Sequence, residues 1–261
     1  MNQVNSQNNN GGQFKRRATD RPEGKTRVAA VGDLHVHEHS QNLYRDFFAN
    51  VSLQADVLLL CGDLTNLGLA KEAENLAKDL SAASIPVLGV LGNHDFHSNQ
   101  ADQIKKILAD AGLHFLDEET FELGEVGFAG VKGFGGGFEA FMLGAFGEPV
   151  LKNFVGEGIE EALKLENALK TLAGKKHLVI ATHYSPIAAT VAGEPPEIFP
   201  FLGCSRLAET IDRFNNVRAV FHGHAHHGST QGKTLKGVPV FNCALELLNR
   251  SEGKKYASLE I

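Results

Sequence analysis

Cysteines are few in this 261-residue chain, long apolar runs are missing, and basic charge is in deficit; each lack excludes a class of protein. The three cysteines, Cys61, Cys204 and Cys243, are odd in number and irregularly spaced, so no disulfide framework is expected and a reducing cytoplasm suits them. No run approaches the ~18 apolar residues that a membrane helix needs, which argues against a membrane span. A formal charge of −6 gives no reason to expect nucleic acid or another polyanion as partner. A small phosphate ester stays open, provided metal ions supply local positive charge. Residues 1–26, MNQVNSQNNNGGQFKRRATDRPEGKT, lack the apolar core of a secretory signal and read as a disordered tail. Lys15, Arg16 and Arg17 within it read as a solvated charge run. No solenoid-length repeat is visible.

What is present is a domain over residues 27–261, in a chain with 43% hydrophobic content. Apolar positions at helical spacing over 41–53, 68–83, 99–111 and 159–173 alternate with strand-like runs, the βαβ signature of a largely parallel sheet. HFLDEETFELGEVGFAGV, VPVFN (238–242) and YASLEI (256–261) read instead as short strands joined by tight turns, which predicts a second, partly antiparallel sheet.

Five polar clusters each follow a strand-like run. TRVAAV leads into Asp33 and His35, DVLLLC into Asp63, IPVLGVL into Asn93, His94 and Asp95, HLVIAT into His183, and VRAVF into His222, His224 and His226. Ligand groups gather at the carboxyl ends of buried strands, so five segments can meet at one edge. In extended chain, Asp33 and His35 project to the same side, as do His224 and His226. Asn93, His94 and Asp95 offer an amide oxygen, an imidazole and a carboxylate able to orient that imidazole. Each cluster alone is only a turn; together they form a donor set. Carboxylates mixed with imidazoles, without nearby thiolates, suit Mn, Fe, Zn, Co or Ni ions. Such a donor set exceeds what one ion needs. A pair of ions bridged by a carboxylate is the natural solution, and it is the arrangement of metal-assisted phosphoester hydrolysis.

The series GDLH, GDLTNLG, GNHD, THYSP and GHAH, in this order, resembles the calcineurin-like metallophosphoesterase superfamily from about Thr26 to the C-terminus. The resemblance implies a four-layer α/β/β/α sandwich of two mixed sheets, with a dimetal site at the C-terminal ends of the strands. It implies that Asp33, His35, Asp63 and His226 hold a first ion, and that Asn93, His183 and His224 join the bridging Asp63 around a second. His94 would then face the substrate and protonate the leaving oxygen, with Asp95 holding its ring. The ions, Mn, Fe or Zn foremost, would make a bridging hydroxide available for attack on a small phosphodiester or phosphomonoester.

Asp95, rather than Glu with an added arginine, points away from phosphoprotein substrates. Asn66 stands where cyclic-nucleotide-cleaving relatives often carry an acidic residue. Rival readings are a DNA-repair-type nuclease, disfavoured by the acidic charge, and a non-catalytic protein-binding member, disfavoured by the retained His94 and ligand set. A homo-oligomer is compatible with the composition. His37, His39, His97, His222 and His227 flank the motifs as substrate contacts, second-layer groups or loop histidines. Residues 133–158, rich in Gly and Phe, read as a lid whose Phe134, Phe138, Phe141 and Phe146 line a pocket; residues 193–203 read as a second wall.

Overall fold

The computed structural model describes residues 25–117 and 119–261. The tail expected over residues 1–26, Lys15, Arg16 and Arg17 included, lies outside the described residues except for its last two. Lys25 pairs with Glu260, and Thr26 donates its N–H to the Ile261 carbonyl at 2.8 Å, so the fold begins slightly earlier than expected.

Among the described residues, eleven strands divide between two sheets. In the first, β1 (Arg27–Val31), β2 (Val57–Cys61), β3 (Val87–Val90) and β4 (Leu113–Phe115) run parallel, and β11 (Ala257–Glu260) closes the edge antiparallel to β1. In the second, β6 (Val126–Val131), β7 (His177–Thr182), β8 (Val217–His222) and β10 (Pro239–Asn242) run parallel. Antiparallel edge strands β5 (Phe121–Leu123) and β9 (Gln231–Lys233) flank them.

Strand periodicity sorts the side chains into layers. In β2, Leu58 and Leu60 face helices α1 (Arg45–Gln54), α2 (Ala70–Leu80) and α3 (Ala101–Asp110), where they meet Phe48, Val51, Leu76 and Leu108. Val57, Leu59 and Cys61 face the other way and meet Phe128, Val179 and Phe221 of the second sheet. The outer face of that sheet, with Leu178, Ile180 and Val220, is covered by Leu165 and Leu169 of α4 (Pro149–Thr171) and by Leu207 and Ile211 of α6 (Ser205–Ile211). The short α5 (Phe199–Leu202) and α7 (Leu245–Glu252) complete the α-helices among the described residues. The result is a four-layer α/β/β/α sandwich, and burial on both faces explains why its strands read as unbroken apolar runs.

Two details depart from the sequence reading. YASLEI joins the first sheet as β11, not the second. Helix α4 begins at Pro149 rather than near residue 159, because a proline suits the first helical turn and the helix tolerates Gly156 and Gly158. Gly158 lies where a Cβ would come within 3.1 Å of the Gly135 carbonyl, so its bareness lets α4 press onto the glycine-rich segment.

Candidate metal centre

The C-terminal ends of β1, β2 and β3 in one sheet and of β7 and β8 in the other meet at one edge. The donors there are not presented by extended chain, as spacing suggests. Asp33, His35, Asp63 and His224 have φ of 60°, 43°, 49° and 71°, in the left-handed region that non-glycine residues rarely occupy. The chain curls back at each strand end, and such strain concentrates at functional sites. Glycines make room for the carboxylates: a Cβ on Gly92 would lie 2.2 Å from Asp63 Oδ1, and one on Gly223 2.3 Å from Asp33 Oδ2.

Among the described residues, three donor groups form: Asp33 with His35 and His226; His35 with Asp63 and His94; and Asp63 with His183 and His224. Asp63 links the second and third through different oxygens, and His35 links the first to the second. Oδ1 faces His183 Nε2 at 3.4 Å, while Oδ2 faces His35 Nε2 and His94 Nε2, each at 3.9 Å. Two atoms bound to one ion at about 2.1 Å stand about 3–3.5 Å apart, so these gaps exceed a hydrogen bond and approach the span across a cation.

The hydrogen bonds fix which nitrogen each ring turns inward. His183 donates Nδ1–H to the Cys61 carbonyl at 2.9 Å, and His224 donates Nε2–H to the Phe201 carbonyl at 3.1 Å. That leaves the His183 Nε2 and His224 Nδ1 lone pairs for a ligand, the role outer hydrogen bonds play around metal-binding histidines. His183 Nε2 lies 2.8 Å from Asn93 Oδ1, and burial holds its pKa well below the usual value, so the two atoms meet as acceptors. A shared cation reconciles that approach. Both ring nitrogens of His35 are buried without a hydrogen-bond partner, although burial lowers its pKa to about 4 and keeps it neutral. An orphaned neutral imidazole beside two carboxylates fits a metal ligand.

The carboxylates lead to the same place. Burial pushes Asp33 up, but the hydrogen bond from His226 at 2.9 Å and the nearby His183, His226 and His35 outweigh it and hold it at about 2. Burial, with Asp33 and Asp95 nearby, pushes Asp63 up to about 9. Two adjacent carboxylates ionise together only when positive charge lies between them. The donor set fits transition-metal ions.

His94 lies at the mouth, its side chain 42% exposed, with its ring edge-on to His35 at 4.5 Å. Asp95 does not hold that ring, contrary to expectation. It is fully buried and accepts hydrogen bonds from Leu64 N, Thr65 N, Thr65 Oγ1 and Gly92 N at 2.6–3.2 Å. The His94 Nδ1–H instead donates to the Asn66 carbonyl at 2.6 Å, and the Asp63 carboxylate accepts the His94 N–H at 2.8 Å. Asp95 thus ties the loop after β2 to the turn after β3, and that loop carries the carbonyl that orients His94. A main-chain carbonyl carries no residue signature, which is why sequence missed it.

Of the flanking histidines, His222 is fully buried and bonded to Thr190 Oγ1 at 2.8 Å, a core role. The His227 N–H donates to Glu194, and His39 is exposed beside Glu38. Phe138 does not line a pocket: it is buried against Phe199, Leu202 and Ala225. Phe141 and Phe146 are 87% and 85% exposed. An aromatic wall does stand beside His224, with Phe134 the one expected phenylalanine in it: Tyr184 lies 4.5 Å from the His224 ring, Phe134 5.7 Å from Tyr184, and Phe154 between Phe134 and Phe201 at 4.9 and 5.9 Å. Phe201 gives the 193–203 segment its place in that wall.

Residues 26–228 match the family model described as calcineurin-like phosphoesterase. The chain is 24% identical over 88% of its length to a probable cyclic nucleotide phosphodiesterase of Vesicomyosocius okutanii, covering 91% of that protein. It is 22% identical over 78% of its length to a probable glycerophosphodiester phosphodiesterase of Arcobacter nitrofigilis, covering 72% of it. In fold it is similar to the crystal structure of a phosphopantetheinyl hydrolase from Mycobacterium tuberculosis, with a TM-score of 0.67 at 14% identity over 89% of this chain and 95% of that one.

Proposed function

The chain belongs to the calcineurin-like phosphoesterases, and from that premise we propose that it hydrolyses a small phosphodiester with two metal ions, Mn, Fe or Zn, held at the joined strand ends. The observation that carries this reading is Asp63, whose two oxygens face separate histidine groups across gaps of 3.4 and 3.9 Å. One carboxylate so placed would serve both ions. Asp33, His35 and His226 would complete one ligand set, and Asn93, His183 and His224 the other. Such ions, when bound, offset charge on the phosphoryl oxygens and make a hydroxide available near neutral pH.

The protein's own part is orientation and proton delivery. With Nδ1 committed to the Asn66 carbonyl, His94 presents Nε2 to the site, the position from which a leaving alkoxide would be protonated. Diesters are favoured over monoesters by the names of the two relatives, both phosphodiesterases. The acidic net charge of −6 keeps a nuclease second. Three buried free cysteines, Cys61, Cys204 and Cys243, support a reducing, cytoplasmic setting. Among the described residues, no helix is long and apolar enough to cross a membrane.

The test is reconstitution of the full chain with Mn, Fe or Zn, elemental analysis, and a screen of chromogenic diesters and monoesters. Two equivalents of metal with diester turnover are expected. At most one equivalent in excess metal, or turnover of single-stranded oligonucleotides alone, would overturn the reading.

A further inference from the structure

Lys132 directly follows β6, and its carbonyl accepts the N–H groups of His183 and Tyr184 at 3.0 and 3.1 Å, which fixes it beside the metal-ligand strand β7. Its side chain is only 14% exposed. The ammonium lies over three rings, 4.7 Å from Phe134, 5.5 Å from Tyr184 and 5.7 Å from Phe96. Two of those rings belong to the site. Phe96 ends the turn that carries His94, and Tyr184 packs on His224.

Of its three donors, one reaches the Gly133 carbonyl at 3.0 Å. Glu157, half-exposed, stands off at 4.0 Å, and the nearby Glu161 is engaged by Gly133 N and Lys164 Nζ at 2.8 and 2.7 Å. The three rings and Glu157 stabilise the ammonium where it stands. Those contacts are to ring faces and to one carboxylate at 4.0 Å, and the Gly133 carbonyl takes a hydrogen bond, which leaves the ammonium able to donate to a further acceptor. Its position becomes useful if an anion arrives.

We propose that Lys132, framed by Phe96, Phe134 and Tyr184, is the specificity-determining residue that binds an acidic group, carboxylate or phosphate, on the leaving portion of the substrate. This deepens the phosphohydrolase reading and rests on it. A leaving group protonated by His94 departs past Phe96, and an acidic substituent on it meets the Lys132 ammonium, while a flat segment between lies against the aromatic wall. Glu157 is the resident carboxylate that the incoming anion displaces.

The test uses the metal-loaded full chain and two phosphodiesters that differ in one feature: the leaving aryl group bears a carboxylate in one and a neutral carboxamide in the other. Lys132→Met, which keeps the stem against the rings, is expected to raise KM for the carboxylate ester by about tenfold or more, the worth of a charge-assisted hydrogen bond. It should change kcat, and the KM of the carboxamide ester, far less than the KM of the carboxylate ester. Lys132→Arg should restore most of the preference, and Glu157→Gln should lower KM for the carboxylate ester. Non-hydrolysable phosphonate twins titrated by calorimetry read the same preference without turnover. If neither ester is cleaved, the phosphohydrolase reading fails while the binding comparison still decides on Lys132. Equal changes for both twins, or a loss of thermal stability with no change in preference, would show that Lys132 only holds the rings together and would overturn the proposal.

Discussion

His94 and Asp95 are adjacent in sequence yet face opposite tasks. The imidazole reaches the solvent-facing mouth, with Nδ1 bonded to the Asn66 carbonyl, while the carboxylate points into the core and gathers four donors. His94→Ala is therefore expected to lose about 10²–10⁴-fold in kcat, the usual contribution of a positioned acid. Because His94 Nε2 also lies 3.9 Å from Asp63 Oδ2, metal content must be measured on the same sample. Retention of both equivalents with lost turnover fits the acid role, and loss of one equivalent would make His94 a ligand. Asp95→Ala should act differently, through the fold. It strands three N–H groups and a hydroxyl in the interior at about 1–3 kcal/mol for each donor left unpaired. A large drop in melting temperature is the expected readout, and a variant that melts like the parent would contradict the tether.

At the scale of elements, residues 133–148 combine a packed anchor with exposed rings. Phe138 sits in a small core with Val191, Leu202 and Ala225, whereas Phe141 is 87% exposed. Phe138→Ser should cost about 3–5 kcal/mol, as large-to-small core changes do, and Phe141→Ser about 0.5 kcal/mol or less. Chemical denaturation of the two variants checks the contrast, and equal effects would refute it. The same segment shows what sequence could carry. Helices α1, α2 and α3 were legible because apolar spacing and flanking strands agree, and the five strand-end clusters were legible because each polar group follows an unbroken apolar run. The N-terminal half of α4 was hidden by Gly156 and Gly158, which read as loop until Gly158 is seen against Gly135. Edge strand β9, Gln231–Lys233, has too little apolar character to announce itself. The direction of Asp95, and the left-handed turns at Asp33, His35, Asp63 and His224, depend on contacts between segments far apart in the chain. A pattern read along one chain does not contain them.

At the scale of the whole molecule, the candidate metal centre joins the two sheets: Asp33, Asp63 and Asn93 follow strands of the first, His183 and His224 strands of the second. Metal binding should therefore stabilise the packing between sheets, and its removal should leave a pH signature. Asp63 is pushed up to about 9 in the fold from an ordinary 3.8, so the metal-free fold favours its protonated form. That contribution is complete below the ordinary carboxylate range and is lost as pH rises toward 9. His35 and His222 act in the opposite sense, since both are lowered by burial to about 4 from 6.5. Their stabilising effect grows as pH rises through that interval and is complete above it. His226, raised chiefly by its hydrogen bond to Asp33, adds to the decline. Between pH 7 and 9 the net slope is thus downward, by about 1 kcal/mol per pH unit. For a chain of this size that is about 2–4 °C per unit. Thermal melts of chelator-treated protein should show this fall. Asp63→Asn should flatten most of it, and saturating Mn²⁺ should abolish it in the parent by keeping the carboxylate ionised. A metal-free melting temperature that stays level or climbs from pH 7 to 9 would mean that Asp63 is ionised without cations, and the electrostatic case for a metal between the two sheets would fall with it.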